Sequence, residues 1–196
     1  MKKSPNRFSS TLALVAPTAA LLASNADAGL FVKFDGIDGE SSLKGHEKWI
    51  ELNSWSWGMS NSGSQASAGG GAGTGKVSIS SFNIMHRIDK ASPLLFLRCA
   101  QGQHIATATL SFTRTMSNGT EMEYYRIGLG DVVVGSINGN TPPPPAAGTT
   151  GGDDRPTESL SLNFQKIRFD YTPINDVTGQ AGPVVSATAS FSPPQH

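Results

Sequence analysis

The sequence is poor in the groups from which most enzymes and metalloproteins are built. It holds one cysteine, Cys99, in 196 residues, so no intrachain disulfide and no CxxC or Cys/His zinc set can form. Cys99 lies in the apolar run from Leu94 to Ala100, where it reads as a buried, inert thiol. An excess of either charge is lacking too. The 15 basic and 15 acidic side chains are scattered and make no field that would recruit a polyanion, so nucleic acid is not an expected partner. The run from Thr11 to Ala23 falls short of the ~20 apolar residues of a membrane-spanning helix, and no second stretch approaches that length. No membrane insertion is expected.

Catalytic spacings are missing as well. His46, His86, His104 and His196 lie far apart, with neither HExxH nor a ligand pair one helical turn apart. There is no GxSxG elbow, and no local motif pairs Cys99 with a base. Glu121 with Glu123, and Asp153 with Asp154, read as a solvated strand face and a hydrophilic loop. Gly70 to Lys76, GGAGTGK, matches the phosphate-loop pattern GxxxxGK. However, Val77 stands where magnesium needs a hydroxyl, and the following VSIS alternates like a strand instead of opening a helix. No cofactor, metal or catalytic residue is expected, and the chain reads as a non-enzyme.

What is present begins with an export pattern. Lys2, Lys3 and Arg7 precede the short apolar run, and Ala26-Asp27-Ala28 supplies small residues for a signal peptidase. Cleavage after Ala28 is expected, leaving residues 29–196 as one domain, which at this size buries roughly 70% of its unfolded surface. Losing Lys2, Lys3, Arg7 and Asp27 from the 15-to-15 balance leaves a net charge of about −2.

The remainder is mainly β. Leu30 to Phe34 is a compact apolar run, closed by the turn dipeptides Asp35-Gly36 and Asp38-Gly39. Trp49 to Trp57 alternates imperfectly, and its three indoles could share one face of an unbulged strand. Val77 and Ile79 share one phase and Phe82 and Ile84 the other, so a bulge is expected at Ser80-Ser81. From His104 to Met116 the period is two: Ala106, Ala108, Leu110 and Phe112 on one face, Thr107, Thr109, Ser111 and Thr113 on a wet or interfacial face. Glu121 to Ile137 is a long strand. Leu160, Leu162 and Phe164 change phase to Ile167, Phe169 and Tyr171, which implies a second bulge near Gln165-Lys166. Bulged strands favour curved or closed sheets. One helix interrupts them, with Ser92 as its cap, Pro93 at its first position and Gly102 closing it. Ser60 to Gly75 and Asn138 to Pro156 are too rich in small residues or proline to be regular.

Three segments, EKWIELNSWSWGMSNSGSQASAGGGAGTGK, VSISSFNIMHRIDKASPLLFLRCAQGQ and GGDDRPTESLSLNFQKIRFDY, give an order of strand, long loop, strand, short helix and late strand. This order resembles the Hcp (hemolysin-coregulated protein) family, the tube subunits of type VI secretion, over about Leu30 to Pro183. The resemblance implies a curved β-sandwich or barrel with one flanking helix, forming a homo-oligomeric, hexameric ring that stacks and carries effector cargo in its lumen. It places ring stacking on Gly63, Ser64, Gly69, Gly70 and Gly71, with Lys76 anchoring the loop base, and gives Trp49, Trp55 and Trp57 to core or subunit contact. Tube subunits assemble in the cytoplasm and leave through the sheath, whereas a used leader would direct the chain to the periplasm or outside. The alternatives are therefore an exported Hcp-like structural or adhesive protein and a secreted carbohydrate-binding β-module that stacks sugars on the indoles.

Overall fold

Alternating apolar side chains give strands with one dry face, and a single sheet can bury that face by curling on itself. The computed structural model describes residues 29–62, 76–116, 119–141, 155–175 and 178–191. In chain order they form β1 (Leu30–Phe34), β2 (Ile50–Ser56), β3 (Met59–Ser62), β4 (Lys76–Ile79), β5 (Phe82–Arg87), α1 (Ser92–Gln101), β6 (His104–Thr115), β7 (Glu121–Asn140), β8 (Thr157–Asn163), β9 (Lys166–Tyr171) and β10 (Val185–Ser190). The antiparallel order β7-β6-β1-β2-β5-β8 returns to β7 and closes a barrel, while β9 and β10 extend from β7 as a wing. The expected mainly β, curved barrel with one short helix is the fold observed. Its interior holds Val32, Phe34, Phe82, Ile84, Leu110, Ile127, Leu129, Leu160 and Leu162, with Leu95 of α1 packed in.

Local departures from the expected pattern have physical causes. At Ser80-Ser81 the chain does not bulge within one strand. It leaves the barrel: β3 and β4 form a separate two-stranded arm, joined to β2 and β5 by the Ser80 amide donating to the Gly58 carbonyl (2.9 Å). The irregularity near Gln165 is present, since β8 and β9 are separate strands laid end to end along one edge of β7. Strand β7 runs to Asn140, so Asn138 to Asn140 are regular where a loop was expected. The helix is not capped by Ser92. Ala91 is the capping residue and lends no side chain, whereas the Asp89 carboxylate accepts from the Ala91 amide (2.8 Å) and the Ser92 hydroxyl accepts from the Asp89 amide (3.1 Å). Gly102 closes the helix in the left-handed conformation, as its sequence position implied. Cys99 is half-buried and not fully enclosed.

The outer face of β6 is also not wet along its length. Ser111 and Thr113 are buried, because residues 35–49 fold back over them as a strap. Asp35-Gly36 makes the expected turn, but Gly39 serves another purpose. Its amide donates to the Lys48 carbonyl (2.8 Å), and a Cβ there would overlap the Trp49 carbonyl. Lys33 and Lys48 both hold Asp38, at 2.5 and 3.3 Å, and their hydrogen bonds keep its carboxyl below the ordinary range. Gly39→Ala is expected to cost about 1–3 kcal/mol by overpacking this backbone contact. Urea unfolding of the variant would show it, and an unchanged midpoint would mean that the strap gives way freely.

Candidate functional site

Polar side chains cluster where the strap meets the barrel. His46 stacks on Phe31 (centroids 4.6 Å apart) and meets Trp49 edge-on (5.0 Å). Its Nε2–H donates to Ser111 Oγ (2.7 Å), Ser111 donates in turn to Glu123, and Arg126 grips the same carboxylate at 3.0 and 3.2 Å. A histidine, a serine and an acid in contact invite a catalytic reading, but the order is wrong. A nucleophilic serine must give its proton to the histidine, with the acid behind the ring. Here the serine gives its proton to the acid, the histidine donates to the serine, and Ser111 is fully buried. The trio is a buried hydrogen-bond chain that fastens the strap. Glu121 behaves alike, accepting from Thr113, so Glu121 and Glu123 are structural acceptors and not the solvated pair expected. Among the described residues no group of three or more His, Cys, Asp or Glu is placed to hold a metal ion.

The indoles separate. Trp55 stacks on Phe82 (5.6 Å) and meets Phe112 edge-on (5.0 Å). Trp57 lies against Phe169 (5.2 Å), which stacks on Tyr125 (6.1 Å), and burial pushes the Tyr125 hydroxyl upward in pKa. Trp49 sits before β2 on the strap, and the register of β2 slips between Leu52 and Ser54. With Trp49 on His46 and the other two against barrel and wing rings, no exposed row of indoles is built for stacking sugars.

The exposed apolar groups lie elsewhere. Leu94, Phe96 and Leu97 stand out from α1, Val184 and Val185 lie at the start of the outermost strand β10, and Met59 and Val77 project from the arm. Phe96 is 61% exposed and Val185 64%, values that isolated core-forming side chains do not reach. Lys76 is the first residue of β4, at the base of the arm. Gly63, Ser64, Gly69, Gly70 and Gly71 lie outside the described residues, as do Ala26, Ala28, Asp153 and Asp154.

A six-stranded barrel with a short helix, a two-stranded arm and a two-stranded wing matches known proteins. The family model described as "Type VI secretion system effector, Hcp" covers residues 31–171. The chain belongs to the Hcp family. It is 40% identical over 156 residues to the protein hcp1 of Pseudomonas aeruginosa, covering 79% of this chain and 90% of that relative. A solved structure described as that of a type six secretion system protein superposes with a TM-score of 0.70 at 28% identity, covering 84% of this chain and 96% of the other. The crystal structure of Hcp1 from Salmonella typhimurium gives 0.61 at 28% identity, covering 85% and 96%. Residues 31–171 span the strap, the arm, the helix and the barrel but not β10, so the Hcp match rests on the part of the fold that closes.

Sequence reasoning passed over His46 and Ser111 because their contact joins residues 65 positions apart, and no spacing rule reaches so far. The exposed apolar triplet of α1 was legible in outline, since a helix of this length has only one face to bury. Trp55→Ala is expected to lower stability by about 3 kcal/mol through lost ring packing, and Trp49→Ala by clearly less. Equal losses in urea unfolding would contradict the separation of the indoles into core and strap roles.

Proposed function

We propose that the chain is a structural tube subunit of type VI secretion, and that it works by packing and assembly without making or breaking bonds. Membership of the Hcp family supports this reading, and one structural observation carries it further: a closed barrel that nevertheless leaves a strand edge and apolar side chains uncovered. Among the described residues β10 pairs only with β9, so its outer edge presents unpaired backbone groups beside Val184 and Val185, which soluble monomers normally avoid. A head-to-tail contact through unlike surfaces closes into a ring when its rotation divides a full turn. In this reading six copies form the ring, rings stack through the glycine-rich loop that holds Gly63, Ser64, Gly69, Gly70 and Gly71, and the lumen carries effectors.

Light scattering and negative-stain microscopy of the purified chain over a range of concentrations test the assembly. Six-fold rings are expected. Val185→Glu should raise the ring dissociation constant about tenfold or more, as burying an unpaired charge at an interface does, without changing the circular dichroism of the subunit. A monomer at every concentration would overturn the ring.

The leader pattern from Lys2 to Ala28 favours a second route to the outside. In that reading the chain crosses the inner membrane alone and serves as an exported Hcp-like structural or adhesive protein. Intact mass measurement of protein recovered from periplasm and medium separates the routes. A species beginning at Gly29 is expected if the leader is used, and a species that retains Met1 in the medium identifies cytoplasmic assembly followed by secretion.

A further inference from the structure

One polar pair inside the barrel has no part in assembly. His86 points inward from β5, fully buried, and Glu158 points inward from β8, nearly so. They stand directly opposite each other in the register of the β5–β8 ladder, among residues that are otherwise apolar: Ile84 and Leu160 are the neighbours one step along each strand. His86 Nδ1 lies 2.7 Å from the Arg87 carbonyl oxygen. A carbonyl only accepts, so Nδ1 carries a hydrogen. That leaves Nε2, which lies 3.0 Å from Glu158 Oε1. Neither atom has an aligned hydrogen-bond partner, and both are shut off from water.

Two lone pairs cannot be held 3.0 Å apart in a dry interior without a proton between them. The contact therefore holds as an imidazolium against a carboxylate. The neighbouring charges act in the same direction. Asp89, on the turn between β5 and α1, is coupled electrostatically to His86, to Glu158 and to Glu40 of the strap; burial is the main cause that raises its carboxyl pKa. Glu51 of β2, with Arg87 of β5 and Arg155 just before β8, lines the open cleft of about 560 Å³ that Glu40 and Asp89 also border. Three carboxylates, of Glu158, Asp89 and Glu40, thus bear on the ring.

We propose that His86 and Glu158 form a proton-dependent latch across the β5–β8 seam of the barrel. With the proton in place, the pair ties the two strands together. When the proton leaves Nε2 to solvent, a bare carboxylate faces a lone pair, and the seam loosens at one end of the barrel. The sign follows: the stability supplied by the latch is full in mildly acidic medium and declines as pH rises and the imidazolium is lost. At still lower pH, protonation of Glu158 removes the attraction from the other side.

The test is urea unfolding of the purified chain from about pH 5.5 to about pH 8, the range in which histidine changes charge, alongside ¹⁵N resonances of the His86 ring. The unfolding equilibrium constant of the wild type is expected to rise about tenfold or more across that range, with Nε2 protonated at the acidic end. Glu158→Gln, whose amide donates to a neutral Nε2, should flatten the profile. The double variant His86→Leu/Glu158→Leu replaces the pair by apolar groups, a change that commonly leaves a fold intact, and it should flatten the profile as well. A double variant as pH-sensitive as the wild type would overturn the latch, and so would a His86 ring that stays neutral throughout.

Discussion

Closure of the barrel depends on one strand serving two neighbours along the same edge. β7 is 20 residues long; its first half pairs with β9 from Tyr125 to Gly130, and its second half pairs with β8 from Val133 to Asn140. A straight strand could not feed both a barrel wall and a wing, so β7 must change direction between them. It does so at Asp131, which takes a positive φ of 54°, a conformation that aspartate tolerates better than most side chains. The opposing strand shows the same event, pairing Ile105 with Val132 and then Thr107 with Gly130. His104 holds the Asp131 carboxylate at 2.5 Å. Without this bend β8 could not reach β5, and the sheet would remain open.

Once the barrel is closed, the problem shifts from backbone edges to uncovered faces. Phe31 and Ser111 lie side by side on the outside of β1 and β6, one apolar and one hydroxylic. The strap covers both with a single histidine, whose ring stacks on Phe31 while its Nε2–H reaches Ser111. An aliphatic cover would leave Ser111 and Glu123 unsatisfied, and a purely polar one would waste the Phe31 face. The outer surface of the wing is handled differently: Arg168 and Asp170 pair across 2.8 Å, with Ser186 donating to the same carboxylate. These contacts hold Asp170 below the ordinary carboxyl range. The pair is exposed, so it orders the surface more than it stabilises the fold.

Much of this architecture could be read from the residues alone, because period-two alternation reports burial directly. The alternating Ala108, Leu110 and Phe112, and Leu160 and Leu162, are inside as the pattern requires, and Gly102 ends the helix. What could not be read is set by contacts between distant residues. Ser111 and Thr113 look like solvent-facing hydroxyls until a segment 65 or more positions away lies over them. Likewise Gly39 looks like half of a turn dipeptide until the Trp49 carbonyl is found against it. The cap moved from Ser92 to Ala91 because Asp89 and Ser92 spend their oxygens on each other's turn, a competition between neighbours that a single-position preference does not resolve.

The same closure explains why assembly falls on a few elements. A barrel whose strands are all paired has no edge to offer, and its apolar side chains are consumed inside. Whatever contacts a partner must come from parts added to the closed ring of strands: the arm, the flank of α1 and the wing. These are the parts that carry Met59, Val77, Phe96, Leu97, Val184 and Val185 on the surface. The division also limits how substitutions can act. A change within β1, β5, β6 or β8 disturbs the barrel first and any contact only through it, whereas a change on β10 or the outer face of α1 can alter association while leaving the core intact. A fold arranged in this way can vary its contacts without losing its shape.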